Sequence, residues 1–396
     1  MSEHPTDFSL VTAVLPNSSA ARITPKLLER SGANMLTWKA RGTLLQDHWF
    51  KRWLPPISPI KSMLQMLVPN AEAGRVVSSV VEDARLHQQA TGAVFSTPCQ
   101  NTFFGNASKP WPMREGAELS KSGHDLSENL TAIFCIVGPR LSDRVAKAAI
   151  RAGAHGPLVY YSEGRGLRDR LGWLRITKEN EKEVLMVLTE ESQADDLFAT
   201  MANAGELHLP GRGFMYRLKI NRGLFNLPSR ITPHHYDANM QQIIHAIDHL
   251  NGHKHWRDQA VFEVGGGRGV GFEAPKNTTK LVDQVCLSTF APRDDCQVVM
   301  DCLLDNGAPG LSMSLARYTA NSGANLGQAR VSGEFGMLRC ITDEVTAARL
   351  RDAVAQEKDT AEFERMCLFT NAVPMVATYV PGAKDYREAS PLAEAS

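Results

Sequence analysis

Three arginines stand in similar short contexts: Arg41 in Ala-Arg-Gly, Arg165 in Gly-Arg-Gly and Arg317 in Ala-Arg-Tyr. A guanidinium fork matches a carboxylate or phosphate with two hydrogen bonds, so arginines gathered in clefts would favour an anionic small molecule. The plainer reading is a set of surface arginines at strand ends. Arg212 lies between Gly211 and Gly213, and Arg165 between Gly164 and Gly166. Glycine lets backbone approach a phosphate that a Cβ would block. The Gly211-Arg212-Gly213 turn is therefore either a ligand contact or a tight loop-to-strand turn with an exposed arginine. Asp47 and His48 are neighbours in an aromatic and basic stretch, 43–56, and are the acid–base candidates if the chain is an enzyme. His245 and His249 are spaced to share one face of a helix, opposite an apolar stripe of Met240, Ile243, Ile244, Ile247 and Leu250. Two imidazoles so placed can hold a divalent metal, with Asp248, His253 or His255 completing the set. Solvated histidines on a helix face are the plainer reading, since no His-Glu-x-x-His occurs.

The elements that would position these residues repeat. Apolar runs Leu10–Leu15, Ala132–Val137 and Val285–Phe290 each end at or just before a proline: Pro16, Pro139 and Pro292. Gly-Ala pairs follow at Gly32, Gly153 and Gly307, separated from those prolines by 16, 14 and 15 positions. Second apolar runs, starting at Met63, Val184 and Met337, come 31, 31 and 30 residues after the glycines. Helical patterns come next, at Ala73–Arg85 and Ala194–Ala204 in the first two cases, and closing strands at Ala93–Thr97, Phe214–Ile220 and Met366–Phe369. The order reads β-α-β-β-α-β three times, a split βαβ sandwich, so the expected class is α+β with ferredoxin-like units. Ser142 is the expected N-cap of the first helix in the second unit, and Gly153 its left-handed C-cap. The units occupy 8–99, 130–220 and 280–380. A polar linker at 100–129, a histidine-rich insertion with its own helix at 221–279 and a disordered tail at 381–396 account for the rest.

Gly164-Arg165-Gly166-Leu167, a polar loop to about Glu181, strand Val184–Leu188, a helix, then Pro210-Gly211-Arg212-Gly213-Phe214-Met215-Tyr216 resemble the PII signal-transduction superfamily. The resemblance covers roughly 130–220, and the other units follow through the repeat. It implies a homotrimer with ligand clefts between neighbouring subunits, commonly for adenine nucleotides. Three tandem units would then form an intramolecular pseudo-trimer. It also implies that 43–56, 167–181 and 319–332 correspond to the long T-loop. These three stretches differ sharply: aromatic and basic, charged around Trp173, and small and polar. Ala90-Thr91-Gly92-Ala93 and Phe363-Glu364-Arg365-Met366 replace the Gly-Arg-Gly turn in units one and three, which argues against three equivalent sites.

Composition narrows the partners. Basic and acidic residues balance at 43 each, giving no reason to expect nucleic acid. No apolar run is long enough to span a membrane. The polar start, 1–7, lacks a signal-peptide core, and seven cysteines without a Cys-x-x-Cys fit a reducing cytoplasm. Two functions remain open. One is a cytoplasmic sensor that binds an anionic metabolite or nucleotide and engages a protein partner through 43–56. The other is a hydrolase-type enzyme, metal-dependent if His245 and His249 bind an ion.

Overall fold

Each of the expected strand runs is found, and most extend further than their apolar stretch. The computed structural model describes residues 8–31, 34–42, 60–87, 92–106, 126–166, 181–226, 250, 279–320 and 331–379. The protein is mixed α and β, with one thirteen-stranded antiparallel sheet and six α-helices among those residues. The first stretch is β1 (Phe8–Pro16), α1 (Asn17–Ser31), β2 (Met35–Gly42), β3 (Ile60–Pro69), α2 (Asn70–Ala84) and β4 (Gly92–Phe104). The second is β5 (Leu130–Val137), α3 (Pro139–Arg151), β6 (His155–Gly166), β7 (Glu181–Glu190), α4 (Glu191–Ala204) and β8 (Gly213–Ile220), with a short β9 (Arg222–Asn226) after it. The third is β10 (Thr279–Pro292), α5 (Cys296–Asp305), β11 (Gly310–Ala320), β12 (Val331–Thr342), α6 (Glu344–Gln356) and β13 (Cys367–Thr378).

Strands alternate their side chains between two cores, as the two-residue period of a strand requires. In β1, Val11, Ala13 and Leu15 face α1 and α2, and pack with Leu64, Val76 and Val80. Ile133, Leu185, Phe198 and Met201 form a second helix-side cluster, and Leu287, Val299, Leu338 and Leu350 a third. The alternate residues, among them Leu10, Phe95, Phe134, Tyr160, Tyr216, Phe290 and Phe369, meet in one inner core drawn from all three stretches. This two-sided burial explains why the runs read as continuously apolar rather than alternating.

Strand edges meet in a cyclic pattern. The late part of β4 pairs with the start of β13 (Cys367 with Phe104), and the end of β13 with the start of β8 (Val376 with Tyr216). β9, which follows β8, pairs with the start of β4 (Ala93 with Phe225). The second strands do likewise. β2 pairs with the end of β11 at Met35–Thr37 and with the start of β6 at Arg41–Gly42, while Gly310–Met313 of β11 pair with Glu163–Gly166 of β6.

Local signals held in part. Gly153 and Gly307 take positive φ (100° and 98°), and the Ala154 and Ala308 amides donate back to Ala149 and Leu303 carbonyls at 2.9 and 3.0 Å. These are left-handed helix ends that glycine adopts without a Cβ penalty. Ser142 is not an N-cap. The helix begins earlier, with Gly138 at the cap and Pro139 in the first position, where a missing N–H costs nothing. Ser142 is buried within the first turns, its hydroxyl on the Pro139 carbonyl and on Glu183. Two stretches read as connections carry strand: 100–104 continue β4 and 222–226 form β9. Among the described residues, no helix is long and apolar enough to cross a membrane.

Helix α6 has a side-chain cap. The Thr346 amide donates to Asp343 Oδ1 at 2.8 Å, and that bond, with the Thr346 hydroxyl, holds the Asp343 carboxyl below its usual value. A depressed carboxyl contributes stability above its unfolded value, near pH 4, and loses it as the pH falls through the folded value. Asp343→Ala is expected to cost about 1 kcal/mol at neutral pH. In urea titrations at successive pH values, the gap from the unaltered chain should close below about pH 4; a gap unchanged into strong acid would remove the carboxylate from the argument.

Candidate functional site

The three second strands form the sides of a triangle. Their ends pair at the corners, and the middle residues of each side, such as Lys39, Tyr161 and Leu315, are left between corners. A pocket of about 570 Å³ opens there, lined by Trp38 and Lys39 of β2, Tyr160 and Tyr161 of β6, Leu315, Ala316 and Arg317 of β11, and Glu334 of β12. That size suits a metabolite or nucleotide. The chain leaves from the strand ends beside it into 43–59, 167–180 and 321–330, which lie outside the described residues.

The pocket carries two cations and several aromatic faces. Arg317 is exposed and has no ion-pair partner among the described residues. Lys39 Nζ donates to Asn17 Oδ1 and, at 3.3 Å, to Ser62 Oγ, so its partners are neutral. The Trp38 indole N–H is buried without an acceptor among the described residues, and its ring lies 6.1 Å from that of Tyr160. Tyr161 is half exposed; partial burial pushes its phenol above the ordinary value, and the charges of Glu163 and Glu181 add to that. Glu334 is engaged by Arg293. Arg317, without a carboxylate partner among the described residues, is thus the strongest anion-recognising group lining the pocket.

The other expected residues fall elsewhere. Arg41 and Arg317 occupy matching corners, opposite Val159 and Thr37, but the matching position on β6, opposite Met313, is Glu163. Arg165 lies two positions further, opposite Leu311, and its Nη2 is 3.9 Å from Glu163. Arg41 reaches from β2 to Asp143 at 2.8 Å and Glu183 at 3.3 Å. Burial lowers its pKa, but the Asp143 hydrogen bond and the two carboxylate charges raise it further, so the net shift is upward. It closes an internal ion pair and presents no open fork. Arg212 bonds Glu206 at 3.0 Å, which Arg144 also holds at 2.9 Å, on the outer surface.

The need for glycine at Gly213 is structural. Its φ is +133°, and an added Cβ would lie 2.0 Å from the Ile136 carbonyl oxygen. Gly92 repeats this on β4, with φ +140° and 2.2 Å to the Val14 carbonyl. Both glycines let the fourth strand start tightly against the first. Gly211 has φ +75° in the same turn, and Gly166 ends β6 at the pairing with Gly310.

Asp47, His48 and the stretch 43–56, like His245 and His249, lie outside the described residues. Among the described residues, no three His, Cys, Asp or Glu side chains gather as a metal site. All seven cysteines are free, and burial pushes the Cys99, Cys135 and Cys340 thiols up to about 12, which leaves them protonated and poor nucleophiles. Sequence reasoning passed over Trp38, Lys39 and the Tyr160-Tyr161 pair because they read as ordinary strand residues. It also passed over Arg339, a charge inside the apolar run 337–341, which was a visible anomaly. No protein-family model matches this chain, and no curated protein matches it.

Proposed function

We propose that the chain is a PII-like pseudo-trimer, three ferredoxin-like units in one polypeptide, acting as a cytoplasmic sensor of an anionic metabolite or nucleotide. The cyclic pairing of fourth and second strands, and the inner core shared by all three stretches, support the pseudo-threefold arrangement. The pocket between β2, β6 and β11 carries the ligand reading: it has a metabolite's volume, Lys39, aromatic walls and Arg317, which has no ion-pair partner among the described residues. A base or other flat group would stack on Trp38 or Tyr161, and an acidic group would meet Arg317. Ligand bound there would lie at the roots of the three long connections, which is where a partner could read occupancy. A cytoplasmic setting agrees with seven free cysteines. The hydrolase reading gains no support from the described residues.

Calorimetry with adenine nucleotides and small polycarboxylates tests the proposal. Arg317→Ala is expected to weaken binding about 10- to 100-fold, the effect of losing a charged hydrogen bond, and Lys39→Ala by a smaller factor. Arg212→Ala, engaged at the surface by Glu206, should leave affinity unchanged. Binding that is lost in Arg212→Ala and kept in Arg317→Ala would move the site to the glycine turn; no binding of any such anion would remove the sensor reading.

A further inference from the structure

Arg339 is only 9 % exposed and lies on the inner face of β12, opposite Ser288 of β10 and Ser312 of β11. Its Nη1 donates to the phenol oxygens of Tyr160 at 3.0 Å and Tyr216 at 3.4 Å. Its guanidinium carbon is 5.2 Å from the centre of the Phe134 ring. No carboxylate is among its partners in the described residues. Guanidinium stays charged in proteins, and a buried charge without a counter-charge is strongly unfavourable. The phenols do not supply one. Burial raises both above the ordinary value, that of Tyr216 well above it, so both are neutral at physiological pH. The Cys286 thiol is likewise raised by burial and stays protonated.

Beside Arg339 is a small cavity, lined also by Tyr160, Tyr216, Ser312, Ser314 and Met337. It offers about 10 Å³ to the centre of a water-sized molecule, room for one such species and too little for a metabolite. Each polar side chain of its lining can donate, and none carries a negative charge. Guanidinium has no acceptor. Tyr160 accepts from Nη1 and keeps its own O–H to give, and the serine hydroxyls can also donate. A water molecule could fill the space but could not balance the charge. At the matching register positions of the other two stretches stand Gln65, opposite Leu36, and Met186, opposite Leu158. Only one of the three positions carries a cation, so one anion per chain is expected.

We propose that this cavity is a monatomic anion site, holding one chloride or other halide between the Arg339 guanidinium and the hydroxyls of Tyr160, Ser312 and Ser314. The site is distinct from the larger pocket, although Tyr160 lines both, and neither depends on the other being correct.

Two measurements decide it. Crystals of the full chain grown with sodium bromide, with data collected at the bromine absorption edge, should show an anomalous peak in the cavity within hydrogen-bonding reach of Arg339. In thermal unfolding at matched ionic strength, sodium chloride or bromide should raise the midpoint over sodium gluconate by about 2 °C. Arg339→Gln should abolish that difference. If Arg339→Gln does not fold, the bromide experiment on the unaltered chain still decides. A cavity that holds water or nothing under bromide, or a halide effect of equal size in Arg339→Gln, would overturn the proposal.

Discussion

Gly213→Ala should destabilise the protein by about 3–4 kcal/mol, among the larger costs of a single methyl group. Two terms add. The backbone φ of +133° is one that L side chains rarely adopt, and the new Cβ would sit 2.0 Å from the Ile136 carbonyl oxygen. Neither is relieved by a rotamer change, because the obstruction is main chain of the paired strand β5. Relief requires β5 and β8 to part near Val137 and Gly213, which are paired in the register. Gly92→Ala should cost a similar amount for the same reason, with the Val14 carbonyl as the obstruction. Gly333→Ala is the control: no atom lies within 4 Å of its added Cβ, and its expected effect is within about 0.5 kcal/mol of zero. Chemical denaturation of the three variants tests this. Equal midpoints for Gly213→Ala and Gly333→Ala would mean that the close approach of strands is not what the glycine serves, and would return Gly213 to the phosphate-turn reading.

The elements with strong periodic signals were legible and their ends were not. Ala132–Val137 matches β5 to within two residues, because both faces are buried and every residue is apolar. The closing strand Met366–Phe369 falls far short of β13, which runs to Thr378 through Asn371 and Pro374. Proline inside a strand argues against strand. Here the ladder gives way at that point: the pairs Val282 with Met375 and Gln284 with Val373 flank Asp283 and Pro374, and Asp283 takes a left-handed φ of 53°. The first half of β10, from Thr279, was missed for the related reason that backbone pairing with β13 holds it, with Leu281 packed against the inner core between polar neighbours. Tertiary pairing overrides local preference at both places.

The candidate site was less legible than the fold. Motif reading selects residues by type, and four arginines were chosen in that way. Their distinction lies in what stands opposite them: Arg41 meets Asp143 and Glu183, Arg212 meets Glu206, Arg165 sits beside Glu163, and Arg317 meets no carboxylate among the described residues. The partners of Arg41 come from α3 and β7, more than a hundred residues away, so no local spacing reveals them, whereas Glu163 and Glu206 lie two and six residues from Arg165 and Arg212 and were passed over because residues were chosen by type. The offset of Arg165 from its two counterparts was visible, since the distances from the Gly-Ala glycines were 9, 12 and 10 residues. The register explains it by placing Glu163, of opposite charge, at that corner. The three corners therefore differ in charge, with arginine at two and glutamate at the third.

Tyr216→Ala should be the most damaging inner-core truncation among the aromatic residues, at about 3–5 kcal/mol. Tyr216 is 1 % exposed, stacks on Phe134 with ring centres 5.1 Å apart, and lies where β8 meets β13. Truncation leaves a cavity, removes the stacking and takes one of two phenol acceptors from Arg339. Tyr216→Phe keeps the ring and should cost only about 1–2 kcal/mol, since Tyr160 still accepts from Nη1. The pattern of unfolding matters as much as the size. Phe198 is fully buried on the helix side, within a cluster drawn mainly from the second stretch, whereas Tyr216 belongs to the core built from all three. If that shared core couples the stretches, Tyr216→Ala should lower the whole transition together, with tryptophan fluorescence and far-ultraviolet circular dichroism still coinciding in urea. Separate transitions, with part of the chain melting at the unaltered midpoint, would show that the stretches fold independently and that the inner core does not bind them into one unit.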